Sequence, residues 1–228
     1  MPISSETIES RKAALVAAAR VLIREKGGAS FSMRELALKA GVSTATPYNL
    51  ISTKANLLTL VLEQEFSEFR GEMARLAKLG GLERLLNTID LLCSHYASDQ
   101  KFYFGLFKSA GTIDETSMAL VMLEGGRALF GDMVRAAIAE EDEGGGFAAA
   151  LVTGVLLRTM RATVEAWYVS GWSVARFHDE MAFAVRVVMM ANYRGPVAER
   201  LRRELTALQE RLEKHASAES FAGALASG

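Results

Sequence analysis

Apolar residues recur at helical spacing along nearly the whole chain, and no stretch of useful length alternates with the period of a strand. The spacing predicts a first helix over Ser5–Lys26, with Ile8, Leu15, Ala19, Leu22 and Ile23 recurring on it and Arg11, Lys12, Arg20, Arg24 and Lys26 on other faces. Gly27-Gly28 ends it, since glycine reaches the left-handed conformation of a C-cap. Ser32 and Glu35 then spell a capping box for a second helix. Its short apolar face is Met33, Leu36, Ala37 and Ala40, with Gly41 supplying a turn and Val42 its apolar plug. A third helix is expected to hold Thr44 to Ile51, capped by Ser43 or Thr44. Pro47 favours the later start, because an amide missing near the helix beginning is an orphan anyway.

Ser52 or Thr53 is expected to open a long helix, with Lys54 in its first turn. Leu58, Leu62, Phe66, Phe69, Met73 and Leu76 make one seam along it, and Leu79-Gly80-Gly81 ends it. Further helices are predicted over Leu82–Ala97, Gln100–Ala110, Asp114 to about Glu140, Phe147–Ser170, and Trp172 or Ser173 to Arg194. Gly125-Gly126 inside one of them marks a kink or a close contact. The stretch EEDEGGG, 140–146, is expected to be an acidic loop. Phe147–Ser170 is apolar almost all round, so burial on two sides is expected. A last amphipathic helix carries Val197, Leu201, Leu205, Leu208 and Leu212, and the tail from Ala216 is expected to fray. The fold class is all-α.

Charge changes the picture by its distribution. The net charge is −1, yet residues 1–60 carry 8 Lys/Arg against 4 Asp/Glu, and residues 61–228 carry 18 against 23. A basic N-terminal quarter on an acidic body suits a chain that meets phosphate with one end only. The single cysteine, Cys93, leaves no internal disulfide and is consistent with a reducing cytoplasm. Its simplest role is a small buried hydrophobe, with a redox switch as the alternative. The N-terminus has no apolar run of the signal-peptide kind, and Phe147–Leu157, the longest uncharged apolar stretch, is too short for a bilayer. A cytoplasmic chain with no membrane partner is expected.

A short helix behind a capped partner helix and a glycine turn suits the major groove. Ser43, Thr44, Thr46, Tyr48 and Asn49 offer hydroxyls and an amide for phosphates or base edges. Arg34 reaches from the supporting helix, Ser32 stands at its start, and Lys54 sits where a helix N-terminus already favours an anion. An ordinary helical hairpin with solvated polar residues would share much of this pattern.

Residues from about Ile8 to Leu62 resemble the N-terminal domain of the tetracycline-repressor-like (TetR) family of transcriptional regulators. The matching run is Gly28, Phe31-Ser32-Met33-Arg34-Glu35-Leu36-Ala37, Ala40-Gly41-Val42-Ser43, Tyr48, Lys54 and Leu57-Leu58. The resemblance implies a helix-turn-helix DNA-binding domain over 1–53 and a helical regulatory and dimerisation domain over 54–215, with a flexible tail over 216–228. Where the family often has Tyr-His-Phe or Tyr-Tyr-Phe, this chain has Tyr48-Asn49-Leu50-Ile51 after Pro47. Asn49 takes the place of the usual His or Tyr as a phosphate or base contact, and Leu50 and Ile51 keep the apolar closing role. Base preference does not carry over.

The resemblance also implies a homodimer on a palindromic operator, through a four-helix bundle built from Phe147–Ser170 and Trp172–Arg194 of each subunit. Ala148, Ala149, Ala150 and Gly154 would allow close approach there. It further implies a repressor released by a small-molecule effector bound in the body. Phe104, Phe107, Met118, Met122, Met133, Met160, Trp167 and Tyr168 are the candidate lining, and their chemistry favours an apolar or aromatic effector. His95, Arg158, Arg161 and Glu165 are candidate polar anchors. A Met and aromatic stripe is as readily plain core. No nucleophile elbow, phosphate-binding glycine loop or metal-spaced cluster occurs, so neither an enzyme nor a cofactor is expected. Two other readings remain: a DNA-binding regulator controlled by a protein partner, and an all-helical enzyme.

Overall fold

A computed structural model describes the backbone of residues 5–110, 115–140 and 146–226, with side chains described over 6–109, 120–140 and 146–218. Among the described residues every regular element is helical. They divide into two compact units, Met1–Gly71 with Ser98–Gly125, and Glu72–Ala97 with Gly126–Gly228.

The first unit holds α1 (Ser5–Lys26), α2 (Met33–Lys39), α3 (Thr46–Leu50), most of α4 (Lys54–Met73) and α6 (Gln100–Ala110). Leu15, Ile23, Phe31, Leu36, Leu57, Leu58, Phe102 and Leu106 are its sealed core. The apolar face expected of α2 is buried through Met33, Leu36 and Ala37. α3 begins later than either proposed cap allows. Ala45 is the N-cap and makes no side-chain cap bond, so Pro47 falls in the first turn, where its missing amide breaks no helical bond. Thr53, not Ser52, caps α4, its hydroxyl accepting from the Asn56 amide at 3.1 Å. Ser52 instead takes φ +71°, the left-handed step that turns the chain out of α3. α4 ends at Met73, and a 3-10 turn covers Ala74–Leu76.

The second unit holds α5 (Gly81–Ser98), the C-terminal part of α7 (Glu115–Ala139), α8 (Ala149–Ser170), α9 (Val174–Met190) and α10 (Gly195–Ala226). α8 packs on α9 and α9 on α10. Trp167 and Phe177 are both fully buried and stack at 4.1 Å between ring centroids, 9° from parallel. Asp179, nearly sealed on α9, accepts hydrogen bonds from Arg211 at 3.0 Å and pairs with His215 at 3.1 Å, both from α10. Burial pushes its carboxyl up, but these two partners outweigh that and hold it below the usual range. Cys93 is buried, and burial, with Asp90 nearby, pushes its thiol up to about 12. A thiol so shielded and so weakly acidic is inert to oxidants, which argues against the redox switch.

Gly125 and Gly126 mark close contacts inside one continuous helix. A Cβ on Gly125 would lie 2.4 Å from the Phe66 ring, and one on Gly126 2.8 Å from Leu157. The acidic loop mostly falls outside the described residues, but Glu140 at its start accepts the Gly81 and Leu82 amides, the latter at 3.2 Å. A carboxylate from the end of α7 thus caps α5. α10 keeps helical backbone to Ala226, past the point where fraying is expected, in line with its Ala and Glu content.

α8 departs from expectation. It is buried on one side only. Val152, Leu156, Met160, Val164 and Trp167 face inward, whereas Leu151 is 69% and Val169 68% exposed.

Gly81 lies so close to α7 that a Cβ there would come within 2.3 Å of the Ala137 backbone. Gly81→Ala should therefore destabilise the fold by about 2 kcal/mol or more, through overpacking against backbone that cannot yield. Gly131→Ala, in a helix with nothing within 4 Å of the added Cβ, should stabilise by about 0.5–1 kcal/mol. Urea denaturation of the two variants checks the pair.

Candidate nucleic-acid interface

The supporting helix starts with the capping box expected. The Ser32 hydroxyl accepts from the Glu35 amide at 3.1 Å, and the Ser32 amide donates to Glu35 Oε2 at 2.7 Å. Lys26 at the end of α1 pairs with the same carboxylate, and Lys39 joins Glu25 at 2.7 Å, so α2 is tied to α1 at both ends. The Lys26 partner, then the two Ser32 bonds, draw the Glu35 carboxyl down to about 2. Gly41, at φ +67°, turns the chain, and its amide and that of Val42 close the end of α2 on the Leu38 and Ala37 carbonyls. Ser43 and Thr46 then share a hydroxyl–hydroxyl bond of 2.8 Å across the entry to α3.

Beyond this turn Ser43, Thr44, Tyr48 and Asn49 are exposed, Tyr48 to 56%, while Pro47 and Ile51 turn inward. Pro47 thus does two things: it starts the helix and plugs its inner face. Arg34 is exposed on α2. Several of the predicted contacts already have partners inside the domain. The Ser32 hydroxyl is in the capping box. Lys54 donates to the Ala29 carbonyl at 2.9 Å and lies 5.2 Å from the centroid of the Phe31 ring. Thr46 is half-buried, with its hydroxyl on Ser43.

A set of positioning residues has no strong signal in the sequence. α6 meets the turn between α1 and α2 backbone to backbone, since a Cβ on Gly105 would lie 2.9 Å from the Gly28 nitrogen. The Ser109 hydroxyl accepts the Ala29 amide at 2.7 Å and donates to the Gly105 carbonyl at 2.6 Å. Arg24 grips Asp99 at the head of α6 through bonds of 3.0 and 2.9 Å from Nε, and Asp99 also accepts the Phe102 amide at 3.3 Å. The Arg24 bond foremost holds the Asp99 carboxyl below its ordinary range. Arg20 pairs with Glu65 of α4, which also accepts from the Tyr103 hydroxyl, and its guanidinium lies 4.7 Å from the centre of the Phe102 ring. A glycine inside an aromatic helix was the one available hint.

The predicted effector-lining residues divide between the units. Phe107 is buried in the first unit, its ring centroid 6.0 Å from that of Tyr103, and Phe104 and Met122 are half-buried there. The Met118 side chain lies outside the described residues. In the second unit Met133 is buried with its sulfur accepting from the Thr88 hydroxyl at 3.4 Å, Met160 and Trp167 are buried in α8, and Tyr168 is half-buried. The proposed polar anchors do not gather with the buried lining, although Glu165 and Arg161 act on Tyr168. Arg158 and Glu165 stand on the exposed side of α8, across the helix from Met160 and Trp167, Arg161 is also exposed, and His95 pairs with Glu72 at 3.1 Å.

A capped helix, a glycine turn and a short exposed helix at the basic end of the chain form a helix-turn-helix arrangement. Residues 15–61 match the family model for bacterial regulatory proteins of the tetR family. Its fold is shared by solved structures at low sequence identity. RolR in complex with resorcinol is 18% identical, with a TM-score of 0.68 over 89% of this chain and 96% of that one. A TetR transcriptional regulator from Rhodococcus sp. RHA1 is 16% identical, TM-score 0.62, over 79% and 96%. FadR of Thermus thermophilus, a repressor solved with lauroyl-CoA, is 18% identical, TM-score 0.65, over 81% and 97%. No curated protein matches the chain in sequence. Among the described residues no helix is long and apolar enough to cross a membrane.

The depressed Glu35 carboxyl gives a signed expectation. Its folded value lies below the unfolded one, so its contribution to the α2 cap is complete above pH about 4.5 and is lost as pH falls through about 2. The Ser32 amide resonance should therefore titrate with a midpoint near 2, and Glu35→Gln should abolish that titration. Proton–nitrogen NMR between pH 5 and 2 checks both.

Proposed function

We propose that the chain is a cytoplasmic, homodimeric repressor that binds a palindromic operator and is released by an apolar or aromatic small molecule. The observation that carries the DNA reading is the exposed edge of Thr44, Tyr48 and Asn49, held by a capped α2 and a plugged, five-residue α3. Ser43 and Arg34 extend that edge toward phosphate. Ser32, Thr46 and Lys54 stand beside it; with their polar groups engaged inside the domain, they position the edge and present only what remains to DNA. The family points to a regulator, not an enzyme.

Two copies are needed because one short reading helix holds DNA weakly. Their half-sites would lie roughly 34–36 Å apart or a multiple of this. The open apolar side of α8, with Val187 of α9 44% exposed, supports the pairing. An effector would act through α4: a shift of the Glu63–Leu76 segment changes the separation of the two readers, and both must sit in the groove at once. The ligands of RolR and FadR, an aromatic diol and an acyl-CoA, support the effector class.

Against a duplex recovered by selection from a random library, Tyr48→Ala should weaken binding by roughly tenfold or more at fixed salt, with helicity unchanged. Arg34→Ala should lower the salt slope by about one unit. Fluorescence anisotropy reads both, and unchanged affinity in both variants would sink the interface. With resorcinol and lauroyl-CoA as probes, the effector mechanism fails if either one binds and the affinity for that duplex does not move.

A further inference from the structure

Six residues of α8, Leu151, Val155, Arg158, Ala162, Glu165 and Val169, alternate four and three apart, so they form one stripe along the helix. All six are exposed, and they lie opposite the face that Met160 and Trp167 bury. A solvated stripe at this position in a surface helix would be mostly charged. This one is four apolar residues with one arginine and one glutamate. Arg158 and Glu165 are seven residues apart, about 10 Å by helical rise, and neither makes an ion pair among the described residues.

We propose that this stripe is the seam between two copies of the chain, packed antiparallel about Ala162, with each Arg158 beside the partner's Glu165. The inference rests on the dimer reading above and adds its register. Charge selects it. In a parallel arrangement Arg158 would meet the partner's Arg158, and Glu165 the partner's Glu165, like against like. In an antiparallel arrangement centred on Met160, Glu165 falls on the partner's Val155 and Arg158 on the partner's Ala162. That buries four charges without a counter-charge, which is strongly unfavourable.

Centred on Ala162, the layers from Val155 to Val169 are matched, and Leu151 falls beyond the end of the partner's α8. Ala162 meets its own copy at the two-fold axis, where a small residue lets the helices approach. Arg158 and the partner's Glu165 come within about one residue of rise of each other, a gap that two long side chains span. Val155 falls on the partner's Val169. The Arg158 guanidinium lies back over Gly154, Nη1 being 3.4 Å from where a Cβ would stand. Gly154 thus leaves room for the ion pair and is covered by Arg158.

Sedimentation of the full chain with charge-reversed variants tests the register. Arg158→Glu and Glu165→Arg should each weaken the dimer on the order of 30-fold or more, and the double reversal should return to within about threefold of wild type. Ala162→Cys should form an intersubunit disulfide under mild oxidation. Wild type should not, because Cys93 is buried. A wild-type dimer indifferent to both reversals, or one that the double reversal fails to restore, overturns the register and leaves the dimer standing. So does cross-linking by the Leu151→Cys/Val169→Cys pair with none by Ala162→Cys. A wild-type chain that stays monomeric at tens of micromolar overturns the dimer and the register together.

Discussion

The reader is held where it is by a contact that has no side chain in it. At the α1–α2 turn, Gly28 meets Gly105 of α6 so closely that a Cβ on Gly105 would lie 2.9 Å from the Gly28 nitrogen. Around this bare contact the polar partners fall into place: Ser109 receives the Ala29 amide, Arg24 grips Asp99, and Arg20 and Tyr103 share Glu65. The turn therefore belongs as much to α6 as to α1. Because α2 begins four residues beyond Ala29, the placement of the reading helix follows from the placement of α6.

Ala29 is the node of this arrangement. Its amide goes to Ser109 and its carbonyl to Lys54, so α6 and the first turn of α4 hold opposite ends of one residue. This recasts Lys54. A lysine at a helix start suits a phosphate by charge alone, but here the nearer acceptor is a carbonyl of the same domain, with the Phe31 ring beneath the ammonium. The α4 side of this node is where the mechanism proposed above would move the chain.

What could be foreseen divides by range. The helices, the Ser32–Glu35 box and the Gly41 turn were legible because each is specified within a few residues. The start of α3 was misplaced by one or two residues. Pro47 pointed the right way, but cap preferences suggested Ser43 or Thr44, and the chain uses Ala45 with no side-chain bond at all. The joint to α6 was not legible, because it pairs residues 75 to 80 positions apart and uses glycine and serine, which carry no pattern. The composition of α8, apolar almost all round, points to burial on two sides. A single chain shows only one side covered, and composition does not say whether the cover comes from the same chain or another. The effector-lining residues were chosen by type, and type does not distinguish a wall from a filled core, as the Trp167–Phe177 stack illustrates.

The brevity of α3 limits how much sequence one copy can recognise. Five residues extend about 7.5 Å, roughly two base-pair steps, and three of them, Thr46, Pro47 and Leu50, turn wholly or partly inward. A reader this narrow distinguishes few addresses, while a genome offers on the order of 10⁶ or more competing sites. Doubling the reader squares the number of addresses it can tell apart. In the dimer proposed above, the open side of α8 would be part of what makes the message long enough to be unique.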